Sequence, residues 1–252
     1  MVEMISVSSE NFLKEGFVKI EGSLDVGLCQ KLMEDFKKLR PIDADYFKEN
    51  VYMKESEYDP NKTARKTGPS IGNNLVEHVD LDFIENNQDV QKAISSVLGS
   101  GYKIINKKFV MGVPRNFIPD WILKKIDDIP SANLCQFIKP EYRDMTYFHG
   151  IDFHMDIVDH KNRIGNFITL YVYIDDVDEN MSPLFVVPDS HVFGALIFPH
   201  DIKILNKNML RFSNEEGKSK DLEFNMLVGK SGSVYFWSAY TLHGTRPTYE
   251  TT

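Results

Sequence analysis

A chain of 252 residues, 42% hydrophobic and 26% charged, has ordinary globular composition and enough length to bury a core without disulfides or structural metals. Its net charge of −8 argues against a broad nucleic-acid or anionic-membrane surface. The first residues lack a basic segment followed by an apolar core, and no apolar run approaches the roughly 20 residues that span a bilayer. Cys29 and Cys135, the two cysteines, read as separate buried thiols, so the expectation is a soluble cytoplasmic protein.

In chain order, Phe17-Val18-Lys19-Ile20 alternates apolar and polar side chains between Gly16 and Gly22, the pattern of a short strand. Ser23 offers an N-cap with Asp25 in the first turn. Val26, Cys29, Met33 and Phe36 then recur at the spacing of one helical face, and Pro41 helps to stop that helix. The polar residues 42–74 read as a long loop or a lid, and with the insertion around 114–129 they could form a substrate lid. Val90, Ile94, Val97 and Leu98 share a face of a second helix that Gly99-Ser100-Gly101 ends. Beyond it, runs rich in β-branched and aromatic residues at 102–105, 108–113, 134–138, 167–174, 184–187 and 233–237 predict short strands. Helices first and strands later predict an antiparallel barrel or sandwich with helices on its outside, in one domain over residues 1–252.

The segment His149-Gly150-Ile151-Asp152-Phe153-His154-Met155-Asp156 carries the chemistry. Side chains two apart in a strand share a face, so His154 and Asp156 project together while Met155 points away. An imidazole and a carboxylate so placed are two legs of a 2-His-1-carboxylate triad, which leaves coordination positions open and suits non-haem iron(II). The third ligand must come from elsewhere in the fold. His243 in Leu242-His243-Gly244-Thr245 follows the strand at 233–237 and is the candidate. His149 falls on the opposite strand face unless Gly150 turns the chain, and His160 lies in a polar run. His191 and His200 follow Ser190 and Pro199 in turn-like settings, and His78 stands in a polar stretch. These five read as structural or solvated, with His149 or His191 able to approach a substrate.

At this point the chain resembles the phytanoyl-CoA dioxygenase family of iron(II)/2-oxoglutarate oxygenases. Five blocks in order carry the likeness. They are Phe12-Leu13-Lys14-Glu15-Gly16-Phe17-Val18, Gln136-Phe137-Ile138-Lys139-Pro140 and Phe153-His154-Met155-Asp156, then the run from Tyr171 to His191, and Gly232-Ser233-Val234-Tyr235-Phe236-Trp237 leading to His243-Gly244. The run from Tyr171 ends in Pro188-Asp189-Ser190-His191, with Asp189 where the family usually has Gly.

The resemblance implies a mainly β fold with flanking helices and a double-stranded β-helix (jelly-roll, cupin-like) core. It also implies iron(II), 2-oxoglutarate as cosubstrate and dioxygen, with succinate and carbon dioxide released and an unactivated C–H bond of a small-molecule metabolite hydroxylated. Relatives that halogenate have a small residue in place of the carboxylate, so Asp156 points to a hydroxylase-type enzyme. No nucleic-acid or membrane partner is implied, and the oligomeric state stays open.

For the cosubstrate, Tyr171 stands where the family commonly has Trp lining the 2-oxoglutarate pocket, its alternative being a core aromatic. Gln136, or Cys135 beside it, occupies the strand that contacts the cosubstrate in relatives. The family also carries a basic residue roughly ten positions after the distal histidine, which grips the far carboxylate of 2-oxoglutarate. With a spacing of about nine to eleven, that window begins at Thr252. Arg246 is the only arginine after His243, and between Gly244 and Pro247 it reads as a turn residue. The expectation is that the last barrel strand and its basic residue lie beyond Thr252.

Related outcomes on the same scaffold are desaturation, epimerisation and ring formation. From a different class come a cupin-like metal- or ligand-binding protein and a catalytically inactive family member. The first cupin motif, however, needs a His-x-His pair, which His154-Met155-Asp156 departs from.

Overall fold

The computed structural model of the chain describes residues 2–42, 47, 49–61, 71–127, 129–142, 150–157, 164–195, 201–214 and 217–247. Helix α1 (Val2–Glu15) leads through Gly16 into strand β1 (Phe17–Ile20), and α2 (Val26–Leu39) follows. The cap of α2 is Asp25, not Ser23: the Asp25 carboxylate accepts the Leu28 N–H at 2.9 Å, where it also favours the positive end of the helix. Cys29, Leu32 and Phe36 are its buried stripe. After the short α3 (Asp82–Glu85), Asn87 caps α4 (Gln88–Leu98) by accepting the N–H groups of Asp89 and Val90. Gly99 at φ +82° ends α4, a conformation that favours glycine.

Among the described residues, ten strands form three antiparallel sheets. In the first, β9 (Val234–Ser238) lies between β1 and β3 (Ile168–Val172). The second runs in the order β2 (Ile151–His154), β10 (His243–Thr245), β4 (Leu184–Val186), β8 (Asn225–Leu227). The third is the meander β5 (Asp201–Ile204), β6 (Met209–Ser213), β7 (Ser219–Glu223).

Strand alternation sorts the core into layers. On β9, Val234 and Phe236 pack with Cys29, Val90 and Ala93 of the helices, whereas Tyr235 and Trp237 pack with Leu184 and Val186 of the second sheet. The far face of that second sheet carries Phe153 and Phe185, which pack against Leu210, Phe212 and Leu222 of the meander. Helices, first sheet, second sheet and meander therefore stack in that order. This is the mainly β, helix-flanked jelly-roll class that the sequence implies, and the space between the first two sheets holds the candidate site.

Several local expectations do not hold. Residues 102–105 and 108–113 form no named strand, and Ile104 and Ile105 are exposed. Their β-branched composition supplies strand propensity, but no described strand pairs with them. Residues 134–137 make a 3-10 turn, because the Asn133 side chain accepts the Cys135 N–H at 2.9 Å and bends the chain. Only Ile138 bridges, to Tyr52. The described residues of the 114–129 insertion are packed. A 3-10 turn at Arg115–Phe117 and helix α5 (Asp120–Ile126) bury Phe117, Ile118, Ile122 and Ile126 with Val51 and Phe137. Of the predicted lid at 42–74, the parts at 43–46, 48 and 62–70 lie outside the described residues, while Val51 and Tyr52 are core. The meander was not predicted, although Ile202 and Ile204 alternate with polar residues in β5. No described helix is long and apolar enough to cross a membrane.

Candidate metal centre

Strand β2 ends at His154, and its ladder with β10 sets His154 directly opposite His243. The two imidazole centroids are 4.3 Å apart. Met155 turns into the core. Asp156 reaches the same side as His154 from the turn after the strand, where its N–H donates to the Ala239 carbonyl at 3.0 Å. One ligand atom from each of His154, Asp156 and His243 lies within 4.8 Å of the other two. The Nε2 of His243 is 3.5 Å from Oδ1 of Asp156, close to the roughly 3 Å that separates two ligands at about 2.1 Å from one ion.

The surroundings orient all three. Nδ1 of His154 is bonded to the Asp152 carbonyl, and Nδ1 of His243 to the Thr241 carbonyl, each at 2.9 Å. A carbonyl only accepts, so each Nδ1 carries the proton and each Nε2 presents a lone pair inward. The outer oxygen of Asp156, Oδ2, accepts the Thr169 hydroxyl at 2.6 Å and the Trp237 indole N–H at 3.3 Å. Thr169 and Trp237 are register partners across β3 and β9, which is why both side chains meet the same carboxylate. Burial alone raises the Asp156 carboxyl. The adjacent His243, the Thr169 hydroxyl, His154 and the Trp237 indole outweigh it and hold the group below the ordinary carboxylate range. Two imidazole nitrogens and one ionised oxygen form a donor set for a divalent first-row metal, with iron(II) among those it suits.

The other predicted residues scatter. Tyr171 lies beside the triad: it is one alternation step from Thr169 on β3 and stacks on Trp237 at 6.1 Å, whose ring is 4.7 Å from that of His243. Burial pushes its phenol up to about 12. Gln136 sits in the packed lobe, accepting from the Tyr58 hydroxyl and donating to the Asn133 carbonyl, both at 3.3 Å. Cys135 is buried beside it. The Arg246 guanidinium donates to the Glu179 carbonyl and lies 5.4 Å over the Phe185 ring. Phe185 is on the opposite face of β4 from Val186, the register partner of His243. His149, His160 and His200 lie outside the described residues. His78 is exposed, and Nε2 of His191 is bonded to the Leu13 carbonyl at 3.1 Å.

Three site residues went unremarked in the sequence: Thr169, Trp237 and Thr245. Thr245 is two residues beyond His243 on β10 and so shares its face. It is 5% exposed, and its hydroxyl has no hydrogen-bond partner among the described residues. The alternation that pairs His154 with Asp156 would have marked Thr245 in the same way.

The family model for phytanoyl-CoA dioxygenase matches residues 12–249. Among solved structures, the non-haem alpha-ketoglutarate-dependent carbocyclase SnoK from nogalamycin biosynthesis aligns with a TM-score of 0.53 and 10% identity, over 98% of this chain and 79% of that one. The epimerase SnoN, in complex with Fe3+, alpha-ketoglutarate and nogalamycin RO, aligns with a TM-score of 0.50 and 11% identity, over 100% of this chain and 80% of that one. At such identities the likeness is one of fold. A search of curated proteins finds no match.

Proposed function

The chain belongs to the phytanoyl-CoA dioxygenase family, and on that premise we propose that it is a non-haem iron(II)/2-oxoglutarate-dependent oxygenase using His154, Asp156 and His243 as metal ligands. The observation that carries the proposal is the convergence of those three ligand atoms within 4.8 Å, with both Nδ1 atoms already occupied by carbonyls. SnoN, which shares the fold, was solved with Fe3+ and alpha-ketoglutarate, a pair compatible with this donor set.

The residues fit the absent groups in a second respect. Among the described residues, the buried Thr245 hydroxyl is left without a partner on the face that carries His243. A buried hydroxyl without a partner costs about 1–3 kcal/mol, and an oxygen-rich cosubstrate beside the metal would supply the partner. Tyr171 adds a second hydroxyl on the inner face of β3. We assign Thr245 and Tyr171 to the cosubstrate, whereas Gln136 and Arg246 have protein partners away from the triad.

Iron(II) with 2-oxoglutarate and dioxygen supplies oxidation of an unactivated C–H bond. The chain's own residues orient the imidazoles, keep Asp156 ionised, and wall the site with Trp237 and Tyr171. A carboxylate as third ligand favours oxygen transfer over halide transfer, so hydroxylation of a small-molecule metabolite is the proposed outcome. The buried Cys29 and Cys135 are not joined in a disulfide, which supports a cytoplasmic setting.

Full-length protein loaded with iron(II) should convert 2-oxoglutarate to succinate in the presence of dioxygen. With its substrate it should add one oxygen atom per succinate formed. Absence of any 2-oxoglutarate turnover contradicts the proposal. A product of unchanged or dehydrogenated mass would move the outcome to epimerisation, cyclisation or desaturation.

A further inference from the structure

Resting on the metal-centre proposal, we infer that the end of α1 and the turn at residues 188–191 form a clamp that positions His243, with Thr241 and Ser190 as its positioning residues. The loop that carries His243 into β10 is short, and the two residues before the ligand are both fully buried. The carbonyl of Thr241 holds Nδ1 of His243, so the place of Thr241 sets the direction of the imidazole.

Each of those two residues is tied to a different element. The Thr241 hydroxyl donates to the Gly16 carbonyl at 2.7 Å, and the Ser238 N–H donates to the same oxygen at 2.9 Å. The Leu242 N–H donates to the Ser190 hydroxyl oxygen at 2.8 Å, and the Leu242 carbonyl accepts the Val187 N–H at 2.9 Å. Ser190, with no exposed surface, in turn donates to the Val187 carbonyl at 2.6 Å.

The turn itself hangs from the end of α1. The Asp189 N–H donates to the Glu15 carbonyl at 3.0 Å, and Nε2 of His191 donates to the Leu13 carbonyl at 3.1 Å. These carbonyls belong to the last turn of α1, where intrahelical donors run out. The junction admits only glycine at position 16. Its φ is +79°, and a Cβ there would lie 2.5 Å from Nδ1 of His191 and 2.7 Å from the Thr241 hydroxyl oxygen.

Hydroxyls at Thr241 and Ser190 are costly choices for fully buried positions unless their geometry matters, because an apolar side chain would fill the same space. Both bonds end within two residues of a metal ligand. The groups that orient a ligand typically change metal affinity by about 10–100-fold when removed.

The test is anaerobic titration of iron(II) into folded full-length protein, followed by calorimetry, with melting temperature measured in parallel. Thr241→Val keeps the shape and removes the hydroxyl, and should weaken iron binding about 10-fold. Thr241→Ser should bind as wild type. Ser190→Ala probes the other arm and should weaken binding by a similar factor, which keeps the inference testable should Thr241→Val fold poorly. Wild-type affinity in both Thr241→Val and Ser190→Ala, with only the melting temperature lowered, would overturn the clamp. So would binding in Thr241→Ser as weak as in Thr241→Val. His243→Ala separates the levels: if it too binds iron like wild type, the metal-centre proposal itself fails.

Discussion

Around His154, Asp156 and His243, each imidazole Nδ1 and the outer carboxylate oxygen is tied to a neighbour. Two residues further along β10, the buried Thr245 hydroxyl has no partner among the described residues. The first region is organised before any ligand arrives, because its supporting bonds are made by the fold. The second holds a polar group whose desolvation no described residue compensates. The difference predicts a division of labour. Changes in the first region should abolish metal-dependent chemistry, and changes in the second should alter cosubstrate affinity with the metal still bound.

The largest effect expected is from Asp156→Ala or His154→Ala. Either should reduce iron-dependent succinate formation below detection, while the melting temperature stays within a few degrees of wild type. Both side chains border the site, so their removal opens little of the core. Retained activity in Asp156→Ala would show that the carboxylate is misassigned and would remove the contrast between the regions.

A smaller and more selective effect is expected from Thr245→Val. A hydrogen bond to a charged group contributes about 1.5–3 kcal/mol, so the KM for 2-oxoglutarate should rise at least about 10-fold. Iron affinity should not move. A joint loss of iron and cosubstrate affinity would mean that the two regions are one unit.

The smallest effect should follow Arg246→Ala. Its guanidinium is engaged by the Glu179 carbonyl and the Phe185 ring, a contact of about 1 kcal/mol. The melting temperature should fall by a few degrees and the KM for 2-oxoglutarate should stay constant. A raised KM would place Arg246 in the cosubstrate site despite its position on the other face of β4.

The two regions were also unequally legible in the sequence. The spacing of His154 and Asp156 announced a shared side, although Asp156 lies in the turn past β2 and is held there by Ala239. The pairing of His243 with His154 is a contact between distant strands, so only its place after the strand at 233–237 and the family resemblance pointed to it. Thr169 and Trp237 became site residues through the register of β3 on β9, which local pattern does not reveal.

Elsewhere composition misled. Residues 102–113 have strand-like side chains but no described partner strand, and one Asn133 hydrogen bond bends residues 134–137 into a 3-10 turn. Helix α5 shows the reverse: Ile122 and Ile126 at helical spacing are both buried, a signal present within an insertion that reads in the sequence as part of a lid.

The most direct test of the three-ligand assignment is an anaerobic titration of iron(II) into wild-type protein and into the His154→Ala, Asp156→Ala and His243→Ala variants. One ion per wild-type chain, with saturable binding lost or weakened at least about 100-fold in every variant, is the predicted result. Wild-type binding in any one of the three, or no stoichiometric binding in the wild type, would contradict it.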